Sequence, residues 1–126
     1  MNILNLFLLS LILTLMNLRN SFLQSSPSIY GTWNSESDSL SQWKFIAPDT
    51  CLWLYNGETD LESTFIYSIS STCGKESDKA ADFLRLETIN DTTDFYCYDI
   101  VGLTDSTFSY IDLLNGKIEL YYRDKD

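Results

Sequence analysis

Short runs with an aromatic or aliphatic residue at every second position constrain this chain more than any other feature. Residues 96–122 read YCYDIVGLTDSTFSYIDLLNGKIELYY. A pleated strand sends successive side chains to opposite faces, whereas an amphipathic helix needs a period of 3.6, so this pattern selects strands. The same signature recurs in YGTWNS, SQWKFIA, TCLWLYN, STFIYSI, DFLRLET, FYCYDIV, STFSYIDL and KIELYYR, which makes eight candidate strands. Each is short, rich in β-branched or aromatic residues, and bounded by turn formers.

The turn residues carry their own mechanism. Pro48-Asp49, Asn56-Gly57 and Asn115-Gly116 supply the fixed or left-handed backbone angles that tight reversals require. Only CGKESDKAADF has any helical character; it is too short to cross a sheet and reads equally as loop. Without crossover helices the strands must pair antiparallel. Eight of them joined in sequence form a meander, and closing it removes exposed edges. The expected fold is all-β, a small antiparallel up-and-down β-barrel.

Alternation also assigns faces. Tyr96, Tyr98 and Ile100 point one way and Phe95, Cys97, Asp99 and Val101 the other. Phe108 shares a face with Tyr110, and Ile118, Leu120 and Tyr122 share another. The expectation is that these apolar faces pack, while Asp99, Ser109, Lys117, Glu119 and Arg123 stay wet.

The first residues, MNILNLFLLSLILTLMNLRN, are apolar from 3 to 16 apart from Asn5, Ser10 and Thr14. This run is shorter than the roughly 20 residues of a membrane-spanning helix, so 1–26 reads as a signal peptide, forming a signal helix. An uncleaved N-terminal anchor is the alternative, because no Lys or Arg precedes the apolar run. The first cysteine is Cys51, too far downstream for lipid attachment behind the leader. Residues 27–126 then form one domain with a modest core, secreted or periplasmic, with no stable membrane span.

The chain carries 18 acidic residues against 8 basic ones, a formal net charge of −10, and has no histidine. Such a surface repels phosphate backbones and anionic lipid heads, which argues against nucleic-acid partners and electrostatic membrane docking. It attracts cations. Cys51, Cys73 and Cys97 allow one disulfide and one leftover thiol in three pairings that spacing alone does not separate. Cys73–Cys97 is the expected bond, since STCGKESDKAAD resembles a long connection whose start is pinned to a strand. Cys51, inside the alternating run CLWLY, then becomes a small apolar core residue.

Gly31-Thr32-Trp33 in the first strand, the meander, CYDIVGLTDSTFSYI and the final KIELYYR resemble the lipocalin-like domain of small exported bacterial proteins, over about residues 30 to 123. The resemblance implies that Gly31, Trp33 and Arg123 close one barrel end, with the Arg123 guanidinium packed over the Trp33 ring. A solvated Arg123 at the strand end is the competing reading. It also implies a binding module. Strands of five to seven residues make a short cylinder that its own side chains nearly fill, so the aromatic stripe reads first as core. The surplus of Tyr over Phe nevertheless nominates Tyr55, Tyr67, Tyr98 and Tyr110 as ligand-binding residues at a cavity mouth.

Catalysis has little support. Without histidine there is no ordinary base to activate Ser or Cys and no imidazole ligand, and no CxxC spacing occurs, so neither a metal nor another cofactor is expected. Asp99 and Glu119 could serve as an acid–base pair, but most acids fall in turns, and Asn90-Asp91-Thr92-Thr93-Asp94 lacks the Gly and Glu of a calcium loop. Asn90-Asp91-Thr92 is also a glycosylation sequon, meaningful only in a eukaryotic host. Two non-enzymatic functions follow: an exported binding module for a small apolar or amphipathic ligand at the barrel mouth, or an acidic interaction or inhibitor protein that binds a cationic exported protein.

Overall fold

The computed structural model describes residues 27–125; the signal-peptide or anchor reading of 1–26 lies outside them. Eight strands form a closed antiparallel barrel: β1 Gly31–Ser35, β2 Ser41–Ile46, β3 Thr50–Tyr55, β4 Thr64–Ser70, β7 Asp82–Thr88, β8 Asp91–Leu103, β9 Thr107–Asp112 and β10 Ile118–Arg123. Neighbours in sequence pair around the wall, and β1 pairs with β10 to close it. These are the eight runs singled out by alternation. Among the described residues no helix is long and apolar enough to cross a membrane.

The turns follow their residues. Asn56 and Gly57 both have positive φ, 54° and 78°, and the bridge from Tyr55 to Glu58 closes a two-residue reversal at the end of β3. A 3-10 turn, Leu61–Ser63, leads into β4, and Asp60 caps it by accepting from the Ser63 amide. The stretch read as helix or loop is instead a small hairpin, β5 Thr72–Cys73 and β6 Glu76–Ser77, outside the barrel sheet. Cys73 and Cys97 are joined, and the free Cys51 is buried. A disulfide suits an oxidising compartment.

Register fixes which side chains point inward. Trp33, Trp43, Phe45, Cys51, Phe65, Tyr67, Leu84, Leu86, Phe108, Tyr110 and Tyr121 form one buried cluster. Trp53, Tyr98, Ile100 and Leu103 pack against it, partly buried. A bulge between Ile100 and Gly102 shifts parity by one and brings Leu103, opposite Phe108, back inside.

The expected faces of β10 are reversed. Tyr121 lies opposite Phe108 and Glu119 opposite Tyr110, so Glu119, Tyr121 and Arg123 take the inward parity. Tyr121 is 5% exposed, while Ile118 is 66% and Tyr122 45% exposed on the outer wall. IELYYR offers apolar residues on both faces, so hydrophobicity does not choose between them. The pairing of Arg123 with Trp33 does.

At the lower end, Trp33 is fully buried and its Nε1 donates to the Ile29 carbonyl at 2.8 Å. The Arg123 guanidinium carbon lies 4.2 Å from the Trp33 ring centroid. Its nitrogens donate to the carbonyls of Asp105 (2.6 Å), Tyr30 (2.5 Å) and Ser28 (2.6 Å). One planar fork thus joins the segment before β1, the β8–β9 loop and β10. Gly31 has φ 121°, and a Cβ there would sit 2.8 Å from Arg123 Nη1. Only glycine combines that backbone with that approach.

Arg123→Lys keeps the charge but loses the fork, and should lower unfolding free energy by about 2 kcal/mol. Gly31→Ala should cost at least as much. Urea titration followed by Trp fluorescence measures both; unchanged midpoints would mean that the guanidinium is a bystander.

Candidate functional site

The connections sort into two poles. The β2–β3 and β8–β9 turns and the segment before β1 lie at the floor, beside Arg123. The β1–β2, β3–β4, β7–β8 and β9–β10 connections form the opposite rim. The four nominated tyrosines do not gather at one mouth. Tyr67 is a floor residue, buried between Tyr30, with ring centroids 6.5 Å apart, and Phe45, at 5.2 Å. Burial, reinforced by the Tyr30 hydroxyl, pushes its phenol pKa up. Tyr55 stands at the rim, half exposed at the end of β3.

Tyr98 and Tyr110 do meet, ring centroids 4.7 Å apart, in the upper half of the interior. Below them the barrel is occupied by its own rings. Tyr110 stacks on Tyr121 at 5.7 Å, and their hydroxyls lie 3.1 Å apart. Trp43 Nε1 donates toward both, at 3.3 Å to Tyr110 and 3.1 Å to Tyr121. Three donor protons, one indole and two phenolic, therefore share two oxygens. Burial drives the Tyr110 phenol pKa far up, helped by Tyr121; burial and then the Asp112 carboxylate do the same to Tyr98. Asp112 pairs with Tyr98 and Glu119 with Tyr110, which puts two carboxylates on the inward parity toward the rim.

The rim itself carries two clefts on either side of the Leu61–Ser63 turn. One, of about 330 Å³, is lined by Trp53, Tyr55, Glu58, Thr59, Asp60 and Ser63. Trp53 is pinned there by a 2.9 Å bond from its Nε1 to the buried Ser41 hydroxyl, and its ring lies 6.0 Å from that of Tyr55. The other, of about 590 Å³, has Glu62, Asp91 and Asp94 beside Leu61, Ile89 and Tyr96. None of the residues lining either cleft is basic. Hydrogen bonds from the Thr93 hydroxyl and amide hold the Asp91 carboxyl pKa below its usual value.

Reading the sequence missed Tyr121, which parity counted back from Arg123 would have placed inside. Glu58 and Asp60 are among the acids assigned only to turns, and the folded β3–β4 connection brings them to Trp53 and Tyr55. Asp99 and Glu119 do not form a pair, because Asp99 has the outward parity of Phe83 and Ile111 whereas Glu119 has the inward parity of Tyr110. Among the described residues, no group of three or more cysteines and carboxylates is placed to hold a metal ion.

No family model, curated protein or solved structure matches the chain. The fold alone does not assign an activity.

The buried phenols set an alkaline limit. Their folded pKa values lie above the ordinary value of about 10, so above that pH the folded state holds more protons than the unfolded chain and stability falls as pH rises. Stability should be constant below about pH 10 on this account and decline above it. Absorbance at 295 nm should show Tyr110 and Tyr121 ionising only as the barrel opens. Ionisation of every tyrosine in one step without unfolding would contradict the packing described.

Proposed function

We propose that this chain is an exported, non-enzymatic binding module of lipocalin-like architecture that recognises a cationic protein at the barrel rim. The observation that carries the reading is the lining of the Trp53–Tyr55 cleft: two rings beside Glu58 and Asp60, with no basic residue. Aromatic faces and carboxylates attract Lys and Arg side chains together, through ring quadrupole and charge. The net charge of −10 extends the attraction beyond the cleft and speeds encounter. The apolar leader and the disulfide support a secreted or periplasmic setting, where a lysozyme-like enzyme is a partner of suitable charge.

The packing of Trp43, Phe108, Tyr110 and Tyr121 favours the rim over the interior as the contact surface. A second reading keeps the interior in play. With three donor protons on two oxygens, one proton of the Trp43–Tyr110–Tyr121 cluster is left for a further acceptor, such as the polar end of a small amphipathic ligand entering past Tyr98.

Calorimetric titration with hen-type lysozyme at low ionic strength tests the first reading. Binding should weaken at least tenfold between about 20 and 150 mM salt, and Tyr55→Ala or Glu58→Gln should weaken it about tenfold without moving the unfolding midpoint. Binding that ignores both variants would remove the rim from consideration. A lipophilic ligand that quenches Trp fluorescence while leaving lysozyme binding unchanged would favour the interior instead.

A further inference from the structure

The barrel wall does not need the β5–β6 hairpin. β4 and β7, the strands that flank it in sequence, pair directly through six residue pairs, from Phe65 with Thr88 to Ser70 with Phe83. The hairpin itself has two pairs, Thr72 with Ser77 and Cys73 with Glu76. Its other hydrogen bonds are also internal to residues 70–81: Asp78 N to Ser71 O, Ala81 N to Asp78 O, Ala80 N to the Asp78 carboxylate, and a mutual pair between Ser70 and Thr72. Among the described residues it makes no hydrogen bond to the wall; the Cys73 Sγ, which has no proton to donate in the disulfide, lies 4.0 Å from the Tyr96 carbonyl oxygen.

What attaches it to the wall is covalent. Cys97 has the outward parity of Phe95 on β8, and Cys73 reaches across to it from the hairpin. Cys73 is also the hairpin's single buried residue; Thr72 and residues 74–80 are all exposed. Beside this anchor the outer wall buries Phe83, 5% exposed and outside the barrel core, and presents the Phe95 ring to Gly74. A unit with few apolar contacts and only self-contained hydrogen bonds opens at low free energy once its tether is cut.

We propose that the Cys73–Cys97 bond is a reducible latch, whose cleavage frees residues 71–81 and uncovers an apolar outer face at Phe83 and Phe95 while the barrel stays closed. An open cleft of about 380 Å³ reaches the bond, bordered by both cysteines, Lys75, Glu76, Phe95 and Leu113. The reductant is an external dithiol. Its thiolate attacks one sulfur, which forms a mixed disulfide and releases the other cysteine as a thiolate. The second thiol of the reductant then displaces the bound cysteine, so that both cysteines end as thiols and the reductant as a disulfide. Cys51 takes no part, since its thiol is buried inside the barrel and burial raises its pKa.

Hydrogen exchange and limited trypsin digestion of the whole protein, with and without dithiothreitol, test the latch. Reduction should proceed without denaturant and yield two new thiols. Cleavage after Lys75 and Lys79 should then accelerate about tenfold or more, with faster exchange confined to residues 71–81, while strand amides and Trp emission stay unchanged. A Cys73→Ser, Cys97→Ser double variant should show the same local opening without reductant; if it does not fold, the reduced native protein still decides. Three results would overturn the proposal: a bond that resists reduction in the folded state, a reduced hairpin as protected as the oxidised one, or exchange spreading through the whole barrel.

Discussion

The pairing of the first strand with the last governs the rest of this molecule. Once Trp33 faces Arg123, the two-residue period of a strand carries inward and outward parity around the wall, from β1 through β2 and β3 and from β10 back through β9. Closure leaves no free edge in the main sheet. It also brings the guanidinium within reach of three carbonyls from separate segments, so one side chain ties the floor together. Gly31 belongs to the same arrangement, since its missing side chain makes room for the arginine.

A cylinder this narrow leaves little room for anything but its own residues. Rings fill most of it, and the polar atoms they bring inside are matched mainly to one another, the Trp43 indole to two phenols and the Trp53 indole to Ser41. The consequence for recognition is geometrical. On the reading proposed above, contact surface comes from the connections, and the β3–β4 connection supplies both carboxylates beside a fixed aromatic pair.

The architecture was legible because alternation and turn chemistry agree at every strand: Asn56-Gly57 and Asn115-Gly116 sit where reversals occur, and all eight runs became barrel strands. Cysteine pairing was legible for a related reason, as Cys51 lies inside the alternating run CLWLY whereas Cys73 opens a long connection that has to be pinned to a strand. The faces of β10 were misread because Ile118, Leu120 and Tyr122 outscore Glu119, Tyr121 and Arg123 in hydrophobicity. A long-range partner decided the matter, and local pattern contains no such information. The scatter of the tyrosines has the same origin: Tyr55 and Tyr67 look alike in sequence but lie on strands running in opposite directions, at opposite poles. The β5–β6 hairpin was obscured by exposed polar residues, because its attachment depends on one covalent bond and hardly at all on side-chain burial.

The floor has a further consequence. The Asp124 amide bonds to the Thr32 carbonyl, and Arg123 holds the carbonyls of Ser28 and Tyr30, so the chain enters and leaves the barrel side by side. A surface or fused neighbour joined directly at residue 27 or 125 would therefore lie at the pole opposite the aromatic–acidic clefts. Held by its base like a lamp in a socket, the molecule would then keep the clefts proposed for recognition turned away from whatever carries it.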